Sequence, residues 1–207
     1  MPLIRKEPAA SAEPSGSDFQ EASARLRGGT AQERWSAARS LGTQPGAAPV
    51  LGDALAREPD ARVREAILTS LARLASPESI DAVVAQLRSD DAQLRTGALD
   101  ALRHMIAAVL PRLPALLTDA DPDVRVLCCD LVREIPSAEG TELLCGVLDR
   151  DSEPNVCAAA VDVLAEIGQP EALPYLAECA ARFREQSFLT FAIKVAAERI
   201  AAQRVGC

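Results

Sequence analysis

The residue types that do chemistry are few in this chain, and their spacing argues against most of it. There is one histidine, His104, so a multi-histidine metal site cannot form within a single chain. The six cysteines are Cys128, Cys129, Cys145, Cys157, Cys179 and Cys207. None belongs to a C-x-x-C pair, and their spacing fits no common zinc or cluster pattern. The glycines of "RGGT" (27–30) lack the spacing and the lysine of a phosphate-cradling loop. Carboxylates are plentiful, 30 against 22 Lys and Arg, but they recur at caps and turns instead of converging as a catalytic pair. The expectation is no catalytic residue, no metal and no cofactor.

What does recur is the start of a helix. In "DPDVRVLCCD" (121–130), Asp121 is placed to cap, Pro122 suits the first turn, and an apolar face begins at Val124. Near-copies begin at Asp60 ("DARVR"), Asp91 ("DAQLR") and, blurred, at Glu153 ("EPNVC"). Arg34, Arg64, Arg95 and Arg125 follow at intervals of 30, 31 and 30, and Cys157 takes the slot 32 residues later. The stripe Val63, Ile67, Leu71 and Leu74 is copied by Leu94, Ala98, Leu102 and Met105, by Val124, Cys128, Val132 and Ile135, and by Val156, Ala160, Leu164 and Ile167. Steps of four, four and three are one face of a helix. Asp60, Asp91 and Asp121, each four residues before Arg64, Arg95 and Arg125, form a structural ladder in which the arginine pairs with its own Asp or an acid of the next unit.

Each periodic segment is followed by a break and a second apolar segment: "APVLGDAL", "IDAVVAQL", "LPRLPALL", "TELLCGVL" and "LPYLAECA". A single such pair cannot bury both its faces, so the units must stack. In this register His104 shares its slot with Arg73, Glu134 and Glu166 and is expected on the surface, whereas Cys128 and Cys129 fall on core positions. Cys157, in an arginine slot, is expected to be partly exposed, and Cys207 free. The third unit lacks a polar turn. Ile106, Val109 and Leu110 of "IAAVLP" (106–111) then either pack tightly or offer a partner an apolar contact.

The pattern V-R-x-x-A-x-x-x-L-x-x-(I/L)-G-x-P-x-A-L-P-x-L resembles the HEAT repeat, in its short phycobilisome-lyase form, most closely at "NVCAAAVDVLAEIGQPEALPYL" (155–176). The resemblance implies an all-α, right-handed α-solenoid of five helical hairpins: 30–59, 60–90, 91–120, 121–152 and 153–185. Residues 19–207 would form this one domain, with a C-terminal cap at 186–207, behind a disordered tail, 1–18, rich in Pro, Ala, Ser and Glu. It also implies a non-enzymatic scaffold or adaptor that binds another protein on the concave face formed by the second helices. Asp53, Asp81, Arg112, Glu142, Tyr175 and Glu178 are the candidate contacts, on a small-sided, mildly acidic surface suited to a helix or an extended, basic segment. The alternative carried by the resemblance is a bilin lyase-like or tetrapyrrole-handling chaperone.

Composition agrees with the scaffold. Hydrophobic residues are 48% of the chain and aromatics only 3%, which favours close helix packing over strands. The net charge of −8 argues against nucleic acid, which needs many phosphate-neutralising cations. No apolar run is long enough for a membrane helix or a secretory signal, so a cytoplasmic protein with thiols and no disulfides is expected. Tyr175, Phe183, Phe188 and Phe191 gather near the C-terminus as a cap or a patch for dimerisation.

Overall fold

The computed structural model describes residues 16–203. Residues 1–15, most of the expected tail, and residues 204–207, with Cys207, lie outside the described residues. The described chain is helical with no strand. It opens with α1 (Gly16–Gly28), which begins within the segment read as tail. Five hairpins follow. The first is α2 (Ala31–Leu41) and α3 (Ala48–Leu55); the second is α4 (Ala61–Leu74) and α5 (Pro77–Val84). The third is α6 (Ala92–His104), then α7 (Ile106–Val109) and α8 (Leu113–Leu116). The fourth is α9 (Pro122–Leu131) and α10 (Ser137–Arg150); the fifth is α11 (Pro154–Ile167) and α12 (Leu173–Arg182). A last helix, α13 (Ser187–Gln203), packs on α11 and α12 in the position of a sixth first helix.

First helices stack on first helices, α2 on α4, α4 on α6 and so on to α13, and among the second helices α3 packs on α5, α5 on α7 and α10 on α12. This is an α-solenoid, in which each hairpin buries its apolar faces mainly against its neighbours. The copied stripe is the core: Ile67, Leu71, Leu102, Val124, Val132 and Leu164 are each fully buried. From the second helices Leu51, Leu55, Val83, Leu113, Leu144 and Leu176 meet them in one continuous cluster. Each such side chain contributes about 1.5–3 kcal/mol.

Local chemistry starts the helices where the repeat needs them. Thr30 and Glu33 make a reciprocal capping box on α2. Asp60 accepts the Arg62 and Val63 N–H groups at 2.9 and 3.2 Å, Asp91 those of Gln93 and Leu94 at 2.8 and 3.2 Å, and Asp121 that of Asp123 at 2.9 Å. Glu153 makes no side-chain cap on α11, where Pro154 pre-sets the first turn instead.

The third hairpin departs from the pattern. Its second segment is not one helix, because Pro111 and Pro114 lack the N–H a continuous helix requires; α7 and α8 are joined by a 3-10 turn, Leu110–Arg112. The corner into it is tight, with Met105 alone between α6 and α7. Of the two readings of that turn, the structure agrees with tight packing. Val109 is wholly buried, Met105 nearly so, and Ile106 and Leu110 are half-buried against the core. The missing polar turn is filled by packing.

Candidate docking groove

The arginine ladder does more than pair with capping residues, and its other half was not read from the sequence. Glu58, Ser89, Asp119 and Asp151 stand two residues before Asp60, Asp91, Asp121 and Glu153. Each accepts the main-chain N–H of that following residue, at 2.9, 3.2, 2.9 and 2.9 Å. The arginines close on these linkers. Arg34 donates to both Glu58 oxygens at 2.8 Å, and Arg125 to both Asp151 oxygens at 2.7 and 3.0 Å. Arg125 also reaches the Asp119 carbonyl at 2.8 Å, and Arg95 the Ser89 carbonyl at 2.6 Å. Arg64 instead pairs with the Asp91 cap of the next hairpin at 2.9 Å. Burial raises the Glu58 carboxyl, but the Arg34 guanidinium and the Asp60 N–H outweigh it and hold it below its ordinary range. The signal for these linkers was a second acid or hydroxyl at repeat spacing, masked because it varies among Glu, Ser and Asp.

Cys157 corrects another expectation. It stands in the arginine slot of α11, yet it is fully buried. An arginine from a different helix does the missing work. Arg182, at the end of α12, donates to the carbonyls of Leu148, Asp149 (3.1 Å) and Asp151 (3.1 Å), and its Nη2 lies 3.9 Å from Cys157 Sγ. The Cys157 thiol is pushed far up, first by its hydrogen bond with Cys179 and then by burial. Burial pushes Cys128 and Cys129 up to about 12 and Cys145 to about 11. Cys128, Cys129 and Cys145 pack in the core. His104 is exposed on α6, its Nδ1 2.7 Å from the Asp100 carbonyl oxygen. Among the described residues no His, Cys, Asp and Glu gather as a metal site, and no helix is long and apolar enough to cross a membrane.

The second-helix candidates do not form one site. Asp53 is exposed at the N-terminal end, beside Arg27, Arg34 and Arg57. Asp81 and Arg112 pair with each other across the second and third hairpins, so neither is an unneutralised charge. Glu142 and Tyr175 do converge. They line a groove of about 780 Å³ between α8, α10 and α12, with Pro114, Ala138, Glu139, Gly146, Asp149, Arg150, Gln169 and Glu171. Glu178 is exposed on the same helix as Tyr175 but does not line the groove. Glu139, Glu142, Asp149 and Glu171 face one cation, Arg150. Glu139, Asp149 and Glu171 were missed, for they stand off the slots that the repeat alignment compares. Gly146 keeps the floor low: a Cβ there would lie 2.9 Å from Arg150 Nη2. At the C-terminal end Phe188 and Phe191 are 71% and 69% exposed, where the aligned first-helix positions include Arg62 with Glu65 and Gln93 with Thr96.

A family model of HEAT repeats matches residues 20–103 and 109–186. No curated protein matches the chain. Among solved structures, one from work on microtubule plus-end tracking by XMAP215, CLIP-170 and EB1 is 12% identical, with 88% of this chain and 90% of that one covered and a TM-score of 0.59. One on tubulin recruitment by microtubule polymerases with TOG domain arrays is also 12% identical, covering 94% and 49%, with a TM-score of 0.55. The complex of CpcE and CpcF of phycocyanin lyase from Nostoc sp. is 16% identical, covering 96% and 100%, with a TM-score of 0.39. At these identities the likeness to the first two is one of fold.

Proposed function

The chain belongs to the HEAT-repeat family, and from that premise we propose that it is a non-enzymatic scaffold that seats a basic segment of a partner protein in the groove between α10 and α12. The observation that carries this reading is the charge of that groove: four carboxylates and one guanidinium around an apolar floor, with the exposed Tyr175 at its wall. A lysine or arginine stem lies against Tyr175 while its head meets Glu142 or Glu171, a contact strengthened by the ring face. The walls belong to packed helices, so little ordering is lost on binding.

The test is a short lysine- and arginine-rich peptide followed by calorimetry. Reversing Glu142 and Glu171 together to lysine weakens binding at least tenfold, about 1.4 kcal/mol, with the melting temperature unchanged. Reversing Asp81 leaves binding unaltered, because Arg112 already neutralises it. Equal affinity of the Glu142/Glu171 double variant and the parent sinks the reading. The tetrapyrrole alternative has less to stand on, since the thiol it would use, Cys157, is buried.

The exposed Phe188 and Phe191 support self-association through α13, as neighbouring exposed rings of this size mark contact surfaces. Phe188→Ser with Phe191→Ser then lowers the solution mass of the chain to that of a monomer in light scattering. A parent that is already monomeric at high concentration refutes self-association.

A further inference from the structure

The first helices carry their own ladder, which runs from α6 to α11 and stops at both ends. Counting eight residues on from the repeat slot gives Ala72, Arg103, Arg133 and Ala165; counting five gives Thr69, Asp100, Asp130 and Asp162. Arg103 bridges from Asp100 on its own helix, at 2.5 Å, to Asp130 on α9. Arg133 bridges from Asp130, at 2.9 Å, to Asp162 on α11 at 2.6 Å, and also meets Glu166. The series stops at α4. Ala72 occupies the arginine slot, Thr69 the aspartate slot, and no side chain of α4 pairs with Asp100 among the described residues.

A groove of about 710 Å³ lies in this gap, lined by Leu68, Thr69, Ala72, Gly97, Asp100 and Ala101. Gly97 deepens it. A Cβ at 97 would come within 2.9 Å of Leu68 Cδ1, and the aligned positions carry Ala66, Leu127 and Ala159. Arg73 and His104 lie on its rim, and Arg64 is engaged by Asp91. The floor is apolar, and the Asp100 carboxylate, with its side chain 53% exposed, pairs among the described residues with its own Arg103 alone.

We propose that this groove is a second docking surface, which accepts an arginine carried on an otherwise apolar helix of a partner. The molecule itself specifies the occupant: the two complete rungs are filled by an arginine that bridges the gap to the aspartate of the next helix. An arginine supplied from outside lays its stem along Leu68 and over Gly97 and sets its planar guanidinium on the free side of Asp100. A flanking leucine covers Ala72 and Ala101. This surface belongs to the first helices and is independent of the second-helix groove.

The probe is a short acetylated alanine–glutamine helix carrying one leucine and one arginine a turn apart, and a control in which norleucine replaces the arginine. Binding is read by fluorescence anisotropy and by amide chemical shifts at Gly97, Asp100 and Ala101. The arginine helix binds at least tenfold more tightly than the control and shifts those amides. Ala72→Arg supplies the rung from the chain's own α4 and abolishes the difference; arginine already fits the aligned positions 103 and 133, so the variant folds. Asp100→Asn lowers affinity for the arginine helix to that for the control. The proposal is overturned if the two helices bind equally, or if neither variant changes the affinity.

Discussion

Replacing Arg125 by alanine is expected to lower the free energy of unfolding by about 3 kcal/mol, the cost of leaving a buried charge without its partner. Arg125 and Asp151 side chains are 13% and 8% exposed, and two parallel hydrogen bonds join them. The pairing with Asp151 raises the Arg125 guanidinium above its ordinary value. Asp151 also holds the Glu153 N–H, so the same carboxylate sets where α11 begins. Urea titration of the variant measures the loss. Arg125→Ala combined with Asp151→Asn recovers part of it, because the uncompensated charge is gone. Arg112→Ala, by contrast, breaks a pair exposed by 38% and 69%, and costs less than about 1 kcal/mol. A loss of similar size for Arg125 would place its clamp among surface pairs and refute the argument.

Arg182→Ala is expected to open the fifth hairpin at one point. The variant releases three carbonyls, Leu148, Asp149 and Asp151, and uncovers the thiol beneath them. In the parent, Cys157 reacts with a thiol reagent only when the chain opens, so labelling is slow. In the variant, labelling of Cys157 accelerates at least a hundredfold, while Cys128 and Cys129, buried on α9, remain slow. Mass spectrometry after timed alkylation distinguishes them. Uniform acceleration at all three thiols would show global destabilisation instead of a local lid.

These two residues mark where sequence reading succeeds and where it stops. The period of the arginines and the apolar stripe were legible because stacking repeats the same environment in every hairpin, so Val63, Leu94, Val124 and Val156 all face the same core. Arg182 was not legible. Its partners are main-chain carbonyls more than thirty residues away, and main-chain acceptors leave no mark on residue type. Val109 stayed open for a related reason: an apolar residue at a turn is equally consistent with exposure and with burial, and the single-residue corner at Met105 decides between them. The candidate groove was half legible. Glu142 and Tyr175 fell on compared slots, but Glu139 and Asp149 stand near the two ends of α10 and Glu171 in the 3-10 turn before α12, where the alignment compares nothing. Asp81 looked like a free acid until Arg112 was found across from it.

The same Met105 corner governs where the polypeptide tolerates being lengthened. An inserted segment between Met105 and Ile106 would have to pull Met105 and Val109 out of the interior to make room. Gly46, in the turn between α2 and α3, is the opposite case: its φ of +81° is already a turn conformation, and a side chain built there meets nothing within 4 Å. A reporter or affinity handle belongs at that turn, at the far end of the stack from the α10–α12 groove.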